Sequence, residues 1–153
     1  MEEALSGAIG DYAVCTGTTG FDYTVQLPGS KPILQNGAFR AVKGVRFVEI
    51  TDGLSNTLLV GDKHVPRGSE TLHPWDCGLY DGHNPVCNTR AAGPAFPLAI
   101  QREDPGWKFG SHHPHLCQFV FCDGSVRLLT TSIDPLTLGL LAQRNDGQPI
   151  PEY

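Results

Sequence analysis

The sequence predicts an α+β domain in which a mainly antiparallel sheet carries one C-terminal helix and several long loops. Three observations predict this class: a strong hairpin signal at residues 116–129, a capped helix that follows it, and a high content of Gly and Pro. The chain has 153 residues, of which 18 are Gly and 12 are Pro, so turns and loops are expected to occupy much of it. A chain of this length is most simply one domain, residues 1–153.

The first third of the chain shows weak strand patterns between glycine-rich turns. Residues 23–27 alternate well enough to predict a short strand in an opening segment that we expect to pack on the sheet as a loop. Lys43-Gly44 then separates two apolar runs, residues 38–42 and 45–50, and this arrangement predicts a second hairpin.

A polar turn at Asp52-Gly53 follows, before a buried strand predicted over residues 57–60. Ser55 and Asn56 lie beside Asp52 in this turn. We interpret the cluster as side-chain to backbone bonding that fixes the turn, in preference to a ligand site.

Residues 64–106 form the longest stretch without periodicity, and a loop of this length in a compact domain is usually functional or mobile. Within it, Cys77 and Cys87 flank a turn rich in Gly, Asp and Asn, which a disulfide would close in an oxidising compartment. Cys117 and Cys122 are roughly 17 Å apart at the rise of a strand, beyond the reach of a disulfide. The count of five cysteines leaves at least one thiol free.

The hairpin signal is the strongest local pattern in the chain. Two runs rich in β-branched, aromatic and aliphatic residues are separated only by Asp123-Gly124. An Asp-Gly pair in this setting predicts a type I′ turn, in which both residues have positive φ. Strand alternation places Phe119 and Phe121 on the same face, and we expect this hairpin at the centre of the sheet.

A helix is predicted directly after the hairpin. Asp134 is a favourable N-cap, and Pro135 suits the first helical position. Apolar residues then recur at helical spacing as far as Ala142, and the Asn-Asp-Gly segment ending at Gly147 predicts the helix end.

Composition argues against two classes of function. The formal net charge is −5, and the eleven basic residues are scattered, whereas a nucleic-acid surface needs clustered Lys and Arg. No apolar stretch approaches the roughly 20 residues of a membrane span, and Met1 opens no signal peptide pattern.

Three motifs, taken together, resemble those of a large protein family. His113 is followed after nine residues by Asp123-Gly124, the middle of the chain carries ITDGLSNTLLVG at residues 50–61, and GDYA lies at residues 10–13. This combination resembles the DUF1559 family of prepilin-like proteins, with its H-X9-DG segment near the C-terminus.

The resemblance implies the head domain of a type IV pilin or a type II secretion pseudopilin. Relatives begin with a prepilin cleavage site and a long apolar helix, whereas this chain opens at Met1-Glu2-Glu3-Ala4, so we expect a head without the prepilin helix. The implied partners are other pilin-like subunits or secretion components, and the implied location is the periplasm, the cell surface or the extracellular space.

Calcium is the cation that the resemblance implies, because major pseudopilins bind it in a C-terminal loop. Oxygen-bearing side chains suited to a hard cation lie in the long loop, namely Asp76, Asp81, Asn84 and Asp104. Two interpretations stay open at this point: these residues bind Ca²⁺, or they are solvated loop side chains.

The segment from Ser111 to His115 concentrates three imidazoles, and imidazoles with carboxylates can bind zinc or act as acid and base. The sequence therefore has an alternative interpretation as a metal-dependent hydrolase of an ester or lactone, such as a lactonase. In that case Ca²⁺ or, less favoured, Zn²⁺ would activate water, and His113, Asp123 and His115 would be catalytic. Asp123 is nevertheless expected to lie at a hairpin tip, more than roughly 20 Å from His113, so the two residues are not expected to form one catalytic pair.

The function favoured by the sequence is that of a structural or interaction module of a secretion or surface apparatus, stabilised by Ca²⁺ if the loop binds one. The hydrolase is the alternative, with a small ester or lactone as substrate. A third candidate is a carbohydrate- or peptide-binding module that uses aromatic loop residues, namely Trp75, Tyr80 and Trp107.

Overall fold

The computed structural model describes residues 7–19, 36–40, 44–81 and 85–153. Within these ranges the chain forms a five-stranded mixed sheet and one α-helix, so the α+β class is confirmed. The strands are β1 (Tyr12–Cys15), β2 (Leu58–Asp62), β3 (Thr89–Arg90), β4 (Leu116–Phe121) and β5 (Val126–Thr130). The helix α1 spans Pro135–Ala142, and short 3₁₀ turns span Phe47–Glu49, Leu54–Asn56 and Pro85–Asn88.

The sheet has the order β3-β1-β2-β4-β5 and is mostly antiparallel. β2 pairs antiparallel with both β1 and β4, and β4 pairs antiparallel with β5. The short β3 pairs parallel with β1. The β4–β5 hairpin therefore lies at one edge of the described sheet, and its predicted central position is wrong.

The predicted hairpin is confirmed, but its turn is not type I′. Only Gly124 has positive φ, at 84°, whereas Asp123 does not. The Gly124 amide donates to the Phe121 carbonyl at 2.9 Å, and the Phe121 amide donates to the Ser125 carbonyl at 2.9 Å. These bonds close a three-residue loop, Cys122 to Gly124, with glycine in the left-handed position that such loops favour.

The core lies between the inner face of the sheet and α1. Phe119 and Phe121 are fully buried on this inner face, as the strand alternation predicts. Leu138 and Leu141 of α1 belong to the same buried cluster. Asp134 caps the helix as expected, because its carboxylate accepts a hydrogen bond from the Thr137 amide at 2.9 Å.

Three other sequence predictions concern the first half of the chain. Residues 47–49 form a 3₁₀ turn, so the strand predicted over residues 45–50 is wrong, and with it the second hairpin. The strand predicted over residues 23–27 lies outside the described residues. In the polar turn, the Asn56 side chain donates to the Asp52 carbonyl at 3.1 Å, as expected. The Asp52 carboxylate instead accepts from a remote segment, from the amides of Asp146 and Gly147 at 2.7 and 2.9 Å.

The disulfide predicted between Cys77 and Cys87 is present and closes part of the long loop. Cys15, Cys117 and Cys122 are buried and lie outside this disulfide. In the described part of the chain no helix is long and apolar enough to cross a bilayer.

The buried side chain of Arg90 binds several segments of the long loop. The side chain of this β3 residue is almost fully buried, and it donates to the carbonyls of His64, Trp75, Val86 and Thr89 at 2.7–3.2 Å. Burial lowers the pKa of Arg90 to about 10, and the nearby carboxylate of Asp76 opposes that shift. The guanidinium thus joins several loop segments to the sheet through carbonyls that would otherwise be buried without a donor.

Candidate functional site

The predicted histidines lie at the mouth of a cleft beside the start of β4. The cleft has a volume of about 380 Å³, and its walls come from residues 99–102, residues 111–115, His64 and Thr131. His113 and His115 both line it, so the structure brings together these two members of the predicted catalytic set.

Local backbone bonds fix the histidine segment. The Ser111 hydroxyl accepts a hydrogen bond from the His113 amide at 2.8 Å. His115 has a φ of 60°, a left-handed conformation that is uncommon for a residue with a side chain, and its carbonyl accepts from the Thr131 amide at 3.0 Å. The segment therefore enters β4 with a defined geometry.

His64 is a cleft residue that the sequence did not single out. It is buried, and its Nε2 lies 2.7 Å from the Asp104 carbonyl oxygen. Burial is the largest cause of a lowered pKa for His64, and this hydrogen bond opposes it. The neighbour of His64, Lys63, forms an isolated β-bridge with Phe109, which is distant in sequence. His64 is therefore placed in the cleft by a long-range contact that no local sequence pattern indicates.

Asp123, the third predicted catalytic residue, lies at the opposite end of β4. Its carboxylate accepts from the amide and the hydroxyl of Ser125 at 2.8 and 2.6 Å. The strand between Asp123 and His115 is six residues long, which corresponds to roughly 20 Å. The structure therefore does not bring Asp123 to the histidines, and the hydrolase alternative gains no support from it.

The predicted calcium ligands are already engaged with protein donors. Asp76 accepts from Lys63 Nζ at 2.7 Å and from the Thr71 amide at 3.0 Å. Asp104 accepts from the amides of Ile100 and Gln101 at 2.7 and 3.1 Å. A buried ammonium on one carboxylate and a capped turn on the other do not fit the oxygen cage that Ca²⁺ requires.

The two remaining members of the predicted calcium set are Asp81 and Asn84, and neither provides evidence for a cation site. Asp81 is buried and has a partner of its own, and Asn84 lies outside the described residues. Among the residues that the structure places, no group of three or more His, Cys, Asp or Glu side chains is arranged to hold a metal ion. Calcium binding stays a prediction.

The thiols of Cys117 and Cys122 are not activated nucleophiles. Burial is the largest cause of the raised pKa of both Cys117 and Cys122. The pKa of Cys122 is raised to about 11. A reactive cysteine needs the opposite shift, because the thiolate is the nucleophile.

Of the three aromatic loop residues proposed as a binding platform, two pack together and one is exposed. Trp75 and Trp107 stack with ring centroids 4.6 Å apart, and Trp107 packs against the cluster that contains the disulfide. Tyr80, in contrast, is almost fully exposed. The tryptophans therefore contribute to the loop core instead of forming an open platform for a ligand.

The outer face of the sheet carries a row of four valines. Val14 lies directly opposite Val60, Val60 opposite Val120, and Val120 opposite Val126. Directly paired residues project to the same side of a sheet, so these side chains form a continuous apolar ladder. Together with Leu128, which neighbours Val126 on this side of β5, they are called the outer face below.

Comparison with known proteins gives one match. The model of a family described as "Protein of unknown function (DUF1559)" matches residues 16–136, well over half of the chain. Neither the curated proteins nor the solved structures contain a significant match.

Proposed function

Because this chain belongs to the DUF1559 family, we propose that it is a structural interaction module, the pseudopilin-like head of a secretion or surface apparatus. The outer face is the surface through which it packs against a second pilin-like subunit. The observation that carries this proposal is the apolar ladder of the outer face, which ends in the exposed side chains of Val126 and Leu128.

Exposure along the outer face increases toward the sheet edge. Val60 and Val120 are half-buried, whereas Val126 and Leu128 on β5 are 56% and 60% exposed. An antiparallel sheet that has water on one side normally alternates apolar and polar residues, with the polar ones outward. Here two of the three outward positions of β5, Val126 and Leu128, are apolar and the third is Thr130, and exposed apolar side chains of this kind are typical of a surface that another molecule covers.

Burial of this face would supply a favourable free energy. Each Å² of apolar surface removed from water contributes roughly 25 cal/mol, and a fully buried Val or Leu side chain about 1.5–3 kcal/mol. β5 is also an edge strand of the described sheet, so a partner can approach both its face and its free edge. Arg127 lies between the two apolar side chains and points to the inner side, where it covers the Phe121 ring at 4.3 Å.

The disulfide supports a location outside the cytoplasm. Disulfides form and persist in oxidising compartments such as the periplasm and the cell surface. The Cys77–Cys87 bond is therefore compatible with the periplasmic or surface location that we propose for this head.

Sedimentation velocity on the full chain tests the proposed packing. We expect a dimer whose fraction rises with protein concentration, and we expect Leu128→Lys to weaken it about tenfold or more, because the substitution places a charge in the contact. Leu136→Lys is the matched control, since Leu136 is 67% exposed on α1, away from the outer face.

Two results would contradict the proposal. One is a chain that stays monomeric at all concentrations tested. The other is an equal loss of association in Leu128→Lys and Leu136→Lys. Circular dichroism of each variant confirms that it is folded before the comparison is made.

A further inference from the structure

We infer that the histidine-lined cleft is a binding site for a small tetrahedral oxyanion of the phosphate class. This inference goes beyond the proposed function and does not depend on it, because the cleft lies at the start of β4 and the outer face is a separate surface. It rests on the chemistry of the cleft walls, the fixed geometry of one wall, and the hydrogen bonds that two nearby carboxylates already make.

The cleft walls carry hydrogen-bond donors and the positive charge of Arg102. Arg102, Ser111 and the four imidazoles of His64, His112, His113 and His115 line it, and no carboxylate does so among the residues that the structure describes. Guanidinium groups match the geometry of phosphate oxygens, and the Ser111 hydroxyl and the N–H groups of the other three imidazoles add hydrogen bonds, whereas His64 uses its Nε2–H on the Asp104 carbonyl. The volume of about 380 Å³ is at the small end of the roughly 300–1,000 Å³ range of ligand sites, which suits a compact anion.

One wall is held in place before any ligand arrives. The Ser111 hydroxyl accepts from the His113 amide, so its own proton remains available to donate to a ligand. Gly110 packs so closely that a Cβ there would meet the Ala99 side chain at 2.6 Å, which ties the histidine segment to the opposite wall. Such preorganisation reduces the entropy lost when a ligand binds.

Two carboxylates near the cleft, those of Asp104 and Glu70, accept hydrogen bonds from backbone amides. Asp104 uses its carboxylate to accept from the amides of Ile100 and Gln101. Glu70 accepts from the Gly68 amide at 2.7 Å, and its other oxygen is 3.8 Å from Arg102 Nη2, the long limit of an ion pair. An exposed pair at that distance contributes little, so Arg102 can turn to an anion at small cost.

Titration of the full ¹⁵N-labelled chain with sodium phosphate at constant ionic strength tests this inference. We expect saturable chemical-shift changes in the amides of Ser111, His113 and His115, and sodium chloride in the same range should not produce them. Arg102→Gln should weaken phosphate binding about tenfold or more. Arg67→Gln is the matched control, because Arg67 is an exposed arginine outside the cleft that pairs with Glu103 at 3.5 Å, and it should bind phosphate like the wild type.

Sodium sulfate and sodium acetate define the ligand class. Competition by sulfate but not by acetate supports a tetrahedral oxyanion. The inference is overturned if chloride reproduces the shifts, if acetate binds as tightly as phosphate, or if Arg67→Gln weakens binding as much as Arg102→Gln.

Discussion

Lys63 Nζ and Asp76 Oδ1 lie 2.7 Å apart, and the two side chains are only 1% and 7% exposed. Lys63 follows β2 and Asp76 directly precedes Cys77 of the disulfide, so this buried ion pair connects the sheet to the long loop. A buried charge without its partner is costly, because the protein interior solvates it far less well than water does.

Asp76→Asn should therefore lower the free energy of unfolding by about 3–5 kcal/mol, because it leaves the Lys63 ammonium buried without a counter-charge. Urea unfolding of the variant measures the loss. The double variant Lys63→Met with Asp76→Leu should recover most of it. Glu103→Gln, which breaks the exposed pair with Arg67, is the control and should change stability by less than about 1 kcal/mol.

Gly61 of β2 gives a second prediction, which concerns packing. A Cβ at this position would collide with the Phe119 ring and approach the Phe109 ring at 2.9 Å. Gly61→Ala should lower the free energy of unfolding by about 1–3 kcal/mol, as overpacked cores do. Gly44→Ala is the control, because nothing lies within 4 Å of a Cβ there.

A double-mutant cycle identifies the cause of that loss. If the Phe119 ring is responsible, Gly61→Ala should cost less in a Phe119→Leu background than in the wild type, because the smaller side chain leaves room. Equal costs in the two backgrounds would show that the ring is not the obstacle.

The elements that the sequence predicts well are those whose signals are local. The β4–β5 hairpin and the helix from Pro135 to Ala142 are encoded by adjacent residues, and both are confirmed. β1 and β3 were missed because they are four and two residues long and are specified by pairing with distant strands. The hairpin turn was mistaken in type because Cys122 enters the loop, where it packs with Ala38 and Ile50 instead of extending β4.

In the candidate site, too, the sequence predicts the residues that have a local signal and misses those that are placed by long-range contacts. The sequence could mark His113 and His115, because they lie in one short run of imidazoles. It could not mark His64 or Arg102, which reach the cleft only through the long-range packing of the loop. For a related reason, sequence proximity does not reveal that Asp76, a member of the predicted calcium set, is directed to Lys63.

Asp123 gives a pH prediction. The hydrogen bond from the Ser125 hydroxyl, followed by that from its amide, lowers the pKa of Asp123 below its usual value. A depressed carboxyl pKa stabilises the fold above the unfolded-state pKa of about 3.9, and this contribution disappears as the pH falls through the folded-state pKa. The difference in stability between the wild type and Asp123→Asn should therefore shrink below about pH 4.

An NMR titration of the Asp123 carboxyl carbon tests the assigned cause directly. Ser125→Ala should raise the pKa of Asp123 toward its usual value, because it removes the hydroxyl donor and leaves the amide. Ser132→Ala is the control, since the Ser132 hydroxyl donates to Thr130 and does not contact Asp123. An unchanged pKa in Ser125→Ala would contradict the assignment.

Calcium gives the last prediction. The Asp76 carboxylate is paired with the Lys63 ammonium, and the Asp104 carboxylate caps a turn. Neither carboxylate can therefore bind Ca²⁺ without losing these bonds. We therefore expect the Tm to stay the same in EDTA and in millimolar CaCl₂, as measured by differential scanning fluorimetry with MgCl₂ as the control for ionic effects. A ligand that binds the native state alone raises the Tm in proportion to the logarithm of its concentration over Kd, so a calcium site would be visible in this experiment. A rise with CaCl₂ that MgCl₂ does not reproduce, and that Asp81→Asn abolishes, would instead establish the calcium site predicted from the sequence and would require the Lys63–Asp76 region to rearrange.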